Sequence, residues 1–169
     1  MHNILFALLM LSAFVCGGKN DTSLKKENSK YQDTVLTSPE LKPNQTILPL
    51  PASMLWLFGR NSSRFDPGED DIAAAEEILQ ACFSKESSGT RNPFFGRKLE
   101  NYHRQFAGVR LENGDKVIWV NCFCYVDNEF IRKWKEQFIM VDDGGNCFFN
   151  VKVNLNTKQY NELMVNGNA

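Results

Sequence analysis

Asn113-Gly114 constrains this chain more than any other feature, because the pair favours a tight antiparallel turn and alternating residues flank it on both sides. A two-residue loop at that point sets His103 opposite Cys124, Gln105 opposite Cys122, Ala107 opposite Val120 and Val109 opposite Ile118. One face of the hairpin is then aliphatic with two thiols. The other carries Tyr102, Arg104, Phe106, Trp119, Asn121 and Phe123 and is mainly aromatic. Neither face suits water, so the hairpin needs partners on both sides.

The flanking segments supply candidates. Asp66-Pro67-Gly68-Glu69 combines a capping residue, a proline suited to the first helical position and a carboxylate able to close a capping box. Ile72, Ala75, Ile78, Leu79, Cys82 and Phe83 follow at helical spacing, so a helix is expected over 67–84, with Glu76, Glu77 and Gln80 on its polar side. Met54–Phe58 reads as a first strand or the start of a helix. Asp127-Asn128 offers a cap for a short helix bearing Phe130, Ile131, Trp134 and Phe138. A second hairpin is expected to turn at Asp142–Gly145, with Cys147, Phe149, Val151, Val153 and Leu155 on one face of its return strand. A last helical turn is expected around Thr157–Met164. The fold class is therefore α+β: an antiparallel sheet of four or five strands with one long N-terminal helix packed on it, in a cystatin-like or NTF2-like arrangement.

Residues 52–169 carry these elements, and what precedes them is different. Ile4 to Val15 is apolar except for Ser12, and as a helix would span roughly 18 Å, short of a bilayer core of about 30 Å. That length fits a signal segment over 1–16, followed by small residues, although neither Lys nor Arg precedes the apolar run. A buried N-terminal helix is the alternative, and no amphipathic partner segment follows to support it. Cys16 closes the run and is the candidate lipidation site, against ordinary cleavage. Residues 17–51 are rich in Lys, Asn, Ser, Thr and Pro without helical or strand periodicity, and read as a flexible linker. The expected setting is the cell envelope, held at the membrane by a lipid, or else periplasmic or secreted.

Composition narrows the function classes. Nineteen basic residues against 20 acidic leave a formal charge of −1, and no basic stripe is present, so nucleic acid is not an expected partner. A hydrophobic fraction of 43% permits a packed core.

The second half carries a resemblance. Trp119-Val120-Asn121-Cys122-Phe123-Cys124, then Trp134, then Val141-Asp142-Asp143-Gly144-Gly145-Asn146-Cys147-Phe148-Phe149, ending in Leu163-Met164-Val165-Asn166-Gly167, resembles a group of small uncharacterised exported proteins of Bacteroidota. The resemblance implies an envelope or secreted setting. It supplies no catalytic residue. It also implies tolerance for the residues before Cys16, which depart from the usual small residue at a lipidation site.

For chemistry, His103 is the one imidazole beyond the signal segment. Opposite Cys124 it would make a Cys–His pair, and with Cys122 and Cys147 a metal site, but no C-x-x-C, H-E-x-x-H or G-x-S-x-G supports either. Cys82, Cys122, Cys124 and Cys147 are favoured as structural thiols or a disulfide, with Cys147 or Cys82 the better partners for a strand cysteine. Asp142 and Asp143 read as turn residues rather than a calcium site. No catalytic residue, metal or cofactor is assigned. The expected role is a non-enzymatic module binding a protein, peptide or small ligand. Its candidate face is Tyr102, Phe106, Trp119 and Phe123, unless a second layer containing Trp134 and Phe138 covers it. The alternative is a thiol- or metal-dependent enzyme built on His103, Cys122, Cys124 and Cys147.

Overall fold

Three residues, not two, turn the central hairpin in the computed structural model, which describes residues 40–94, 96–124 and 130–167, with backbone only at 130 and 131. Leu111 N–H donates to Asp115 O and Gly114 N–H to Leu111 O, both at 2.9 Å, so Glu112, Asn113 and Gly114 form the loop. Gly114 takes the left-handed position at φ +90°, while Asn113 does not have positive φ and accepts Asp115 N–H on its Oδ1. A type I′ turn needs both central residues left-handed, and here only glycine adopts that conformation. The consequence is a register one residue away from the expected one: His103 pairs with Phe123, Arg104 with Cys122, Gln105 with Asn121, and Phe106 with Val120. A one-residue slip moves a whole strand to the other face. The alternation expected for the second strand survives; that of the first is exchanged relative to it.

The hairpin strands are β3 (His103–Arg110) and β4 (Lys116–Phe123) of a six-stranded sheet. The others are β1 (Gln45–Ile47), β2 (Ser63–Phe65), β5 (Phe148–Asn154) and β6 (Gln159–Val165), in the order β1-β3-β4-β5-β6. Both β1 and β2 line the outer edge of β3. β1 runs parallel beside Arg104–Phe106, and β2 runs antiparallel beside Gly108–Arg110. The sheet is therefore mixed, which corrects the expected all-antiparallel one. β1 also lies inside the span 17–51 expected as a linker, so the end of that span belongs to the folded domain. Gln45, Thr46, Leu48 and Leu50 are buried, and Arg104 N–H donates to Asn44 O while Leu48 N–H donates to Phe106 O. Pairing with a strand almost 60 residues away leaves no local periodicity to read. The signal segment 1–16 and the linker up to residue 39 lie outside the described residues, as does the Asp127-Asn128 cap.

β2 approaches β3 closely at Gly108. A Cβ there would lie 2.4 Å from Phe65 O and 2.9 Å from Pro67 Cγ, so only glycine lets the two backbones pair. Gly108→Ala is expected to lower stability by about 2 kcal/mol. In amide exchange, Ser63–Phe65 should lose protection first. Unchanged protection in that strand would disprove the close approach.

α1 (Glu69–Ser87) starts two residues later than expected, because the chain stays extended through Gly68, whose N–H donates to Asp71 Oδ2 (3.2 Å). Asp71, rather than the expected Glu69, supplies the reaching-back carboxylate. Ile72, Ala75, Ile78, Leu79, Cys82 and Phe83 are all buried, in one cluster with Tyr102, Phe106, Ile118, Val120, Cys122, Phe149, Val151 and Val153. Full burial of each large apolar side chain contributes roughly 1.5–3 kcal/mol.

The other sheet face is covered by two short pieces. A 3-10 turn over Ala52–Phe58 brings Met54, Leu55 and Phe58 onto Ala107, Val109 and Trp119. It is pinned by Lys152, whose ammonium donates to Leu57 O and pairs with Glu162. The chain after α2 (Phe130–Lys133) lays Trp134 and Ile139 over Phe123 and sets Phe138 against Trp119. Residues 138–141 are not a strand, so Asp142–Gly145 does not turn a hairpin; β5 instead pairs with β4 and β6. β6 replaces the helical turn expected at Thr157–Met164. Its Gln, Glu, Leu and Met have good helix propensity, but Asn154 Oδ1 caps the N–H groups of Asn156 and Thr157, and the left-handed Lys158 turns the chain back along β5.

Candidate functional site

The residues singled out for binding or chemistry are dispersed by the register. Tyr102 and Phe106 lie in the helix-side core, Trp119 under the 3-10 turn and Phe123 under Trp134. All four are at most 3% exposed, so they form no binding face. His103 stacks on Phe123 with ring centroids 5.3 Å apart, and Trp134 meets it edge-on at 4.9 Å. It therefore sits on the side of the sheet opposite Cys122 and Cys124, and the expected Cys–His pair is not assembled.

The thiols split into two kinds. Cys124 and Cys147 form a disulfide with Cα atoms 5.0 Å apart. They continue the β4–β5 register by one step beyond Phe123–Phe148, and Cys124 N–H donates to Cys147 O. Cys82 and Cys122 are free and buried in the helix-side core. Burial pushes the Cys82 thiol up to about 12, with Glu86 adding to the rise, and lifts Cys122 well above the ordinary thiol range. Neither is a thiolate at neutral pH, which removes nucleophilic character. Among the described residues, no three His, Cys, Asp or Glu side chains come together as metal ligands.

Burial lowers the pKa of His103, and the Arg104 and Lys135 charges act in the same direction. A group whose folded pKa lies below its unfolded value of about 6.5 contributes stability that is complete above that pH. As pH falls from there through the lower folded pKa, the unfolded chain binds the proton first and stability drops. His103→Gln is expected to flatten the stability profile in that acid window; an unaltered profile would contradict the assignment.

Two surface grooves border the helix α1 among the described residues. One, of about 570 Å³, lies between α1 and the start of β6. Of the side chains lining it, Tyr160 donates from Oη to Glu86 Oε1 (2.7 Å), and Lys85 Nζ lies 5.3 Å from the Tyr160 ring centroid.

The other, of about 520 Å³, is bordered by Lys42, Asn44, Glu76, Leu99 and Arg104. Arg104 is its buried element, 4% exposed, placed by its pairing with both Gln45 and Cys122. Arg104 Nε lies 3.1 Å from Glu76 Oε1, Nη1 donates to Leu99 O (3.2 Å) and Nη2 to Asn44 Oδ1 (3.3 Å). Lys42 Nζ lies 3.6 Å from the second Glu76 oxygen. Glu76 is thus turned toward two cations, although helical periodicity places it on the polar side of α1. Sequence reasoning did not single out this cluster; the signal that could have found it is Arg104 itself, a cation between Tyr102 and Phe106 on a face that must be covered.

No family model, no curated protein and no solved structure matches the chain.

Proposed function

We propose that this chain is an exported envelope protein, anchored by a lipid on Cys16, whose domain acts as a non-enzymatic binding module. The observation that carries the export reading is the Cys124–Cys147 disulfide, since structural disulfides persist in oxidising compartments and are rare elsewhere. The apolar run ending at Cys16 agrees with it, as does the resemblance to small exported proteins of Bacteroidota. The layer order, helix against one sheet face and short pieces against the other, supports the cystatin-like or NTF2-like comparison. A binding role is favoured over the thiol or metal enzyme because His103 is separated by the sheet from Cys122 and Cys124, and both free thiols are buried. The test is expression in a bacterial host with labelled fatty acid. Label should enter the wild-type protein in the membrane fraction and be lost in Cys16→Ser. Label in both proteins, or in neither, refutes the anchor, and recovery of the wild type only in the cytoplasm refutes export.

A further inference from the structure

Trp56 is the most exposed large apolar side chain among the described residues, at 74%, ahead of Met164 at 62% and Met140 at 56%. All three belong to the side of the sheet turned away from α1. Met164 pairs with Asn150, whose Oδ1 accepts Trp119 Nε1–H on that face, and Met140 follows the Ile139 that lies over Phe123. Trp56 stands on the 3-10 turn Ala52–Phe58, which is apolar except for Ser53 and has no fully buried residue. Met54, Leu55 and Phe58 seat that turn on Ala107, Val109 and Trp119, and Lys152 fixes it by donating to Leu57 O. Trp56 takes no part in the seating. Its indole N–H has no hydrogen-bond partner, and its ring no aromatic or cationic neighbour, among the described residues.

The shape and the rim together indicate the cover. A protein partner meeting one convex side chain must offer a matching pocket. A lipid surface needs none, because an indole settles at the headgroup boundary with its ring among acyl chains and its N–H in the wet layer. Arg60 and Arg64 are exposed, and Arg64 Nη1 donates to Leu50 O (3.3 Å), which holds one guanidinium beside the start of the turn. Glu112, which accepts Asn61 Nδ2 (2.8 Å), stands against these two cations, while Glu162 is paired with Lys152. An apolar tip with a cationic rim is complementary to a membrane containing anionic lipid. An anchor at Cys16 in the same chain would hold the turn near the bilayer, so that even a weak contact becomes an intramolecular one.

We propose that the Ala52–Phe58 turn docks the domain on a lipid surface, with the Trp56 indole at the headgroup boundary and Arg60 and Arg64 over anionic headgroups. The proposal rests on the membrane-anchor reading, which by itself sets no part of the folded domain against the bilayer.

The test uses the full chain on vesicles of phosphatidylethanolamine with a minority of phosphatidylglycerol, with and without bromine on the acyl chains. Of the three tryptophans, Trp119 and Trp134 are buried, so acyl bromine should quench Trp56 alone. Wild-type emission should move to shorter wavelength and be partly quenched; Trp56→Phe should abolish the quenching. Amide exchange over residues 54–58 should slow on the vesicles. Trp56→Ser, at an exposed position, should leave the fold intact and lower the docked-to-free ratio read from that exchange about tenfold. Docking should weaken on vesicles of phosphatidylcholine alone. Absence of bromine quenching, equal quenching in Trp56→Phe, undiminished protection in Trp56→Ser, or equal docking on uncharged vesicles each overturns the proposal. So does an emission shift that appears without lipid and tracks dimer formation in sedimentation, because a second copy then covers Trp56. Fatty-acid labelling judges the anchor separately: quenching without label keeps the docking surface and removes the anchor, and label without quenching does the reverse.

Discussion

Gln105→Leu is expected to destabilise the domain by about 4 kcal/mol, although leucine nearly preserves the volume. Gln105 is completely buried on the sheet face opposite α1. Its amide nitrogen donates to Trp134 O (2.6 Å) and Gln137 O (2.7 Å), and its Oε1 accepts from Ile139 N–H and Asn121 Nδ2 (both 2.9 Å). Asn121, its cross-strand partner, also donates to Ile139 O (2.8 Å). Residues 134–139 have no strand or helix of their own to satisfy their backbone, so two side-chain amides on the sheet do it. The substitution leaves Trp134 O and Ile139 N–H buried without a partner and takes one from the part-buried Gln137 O, at roughly 1–3 kcal/mol for each buried group. Detachment of the segment into water sets an upper limit on the loss. Chemical denaturation should therefore show a lower midpoint, and exchange at Ile139 N–H should accelerate more than elsewhere. Asn121→Leu added to Gln105→Leu should cost little more, because both act on one segment. A Gln105→Leu protein within about 1 kcal/mol of wild type would refute this account.

Loss of the Cys124–Cys147 bridge is expected to cost about 3 kcal/mol. The bridge closes a loop with a sequence separation of 23 residues, and the chain-entropy argument gives that magnitude for a loop of this size. The double variant Cys124→Ser/Cys147→Ser is the clean measurement, since it leaves no unpaired thiol at the site. Alkylation of denatured, unreduced protein should label Cys82 and Cys122 and spare Cys124 and Cys147. Labelling of all four domain cysteines would eliminate the bridge, and a Cys122–Cys124 bridge would contradict the strand that carries them. After reduction, the unfolding midpoint of wild type should fall to that of the double variant. Most of the native fold should persist, because Asn166 Nδ2 still donates to Val141 O and Asp143 O, and Gly145 N–H to Gly167 O.

What the sequence by itself determined about this protein is local in origin. Apolar spacing marked Ile72 through Phe83 as the buried stripe of α1, and the alternations in 118–124 and 147–153 divided β4 and β5 between their faces. It also left Cys147 among the partners open to Cys124, because both sit on strands with one apolar side in common. Long-range pairing decided the rest. The loop conformation at Glu112–Gly114 shifted β3 by one residue, and that single step separated His103 from the thiols and buried the aromatic residues in different layers. β1 and β6 exist because other strands offer them hydrogen-bond partners; three residues of β1 contain no period, and the propensities of β6 favour a helix. The Arg104–Glu76 pair and the Gln105 clamp join segments dozens of residues apart. Periodicity reports which side of an element is apolar, because that depends on its own residues. Which polar residue is buried, and against what, depends on register and chain crossing, and only the tertiary structure supplies the partner that makes such burial tolerable.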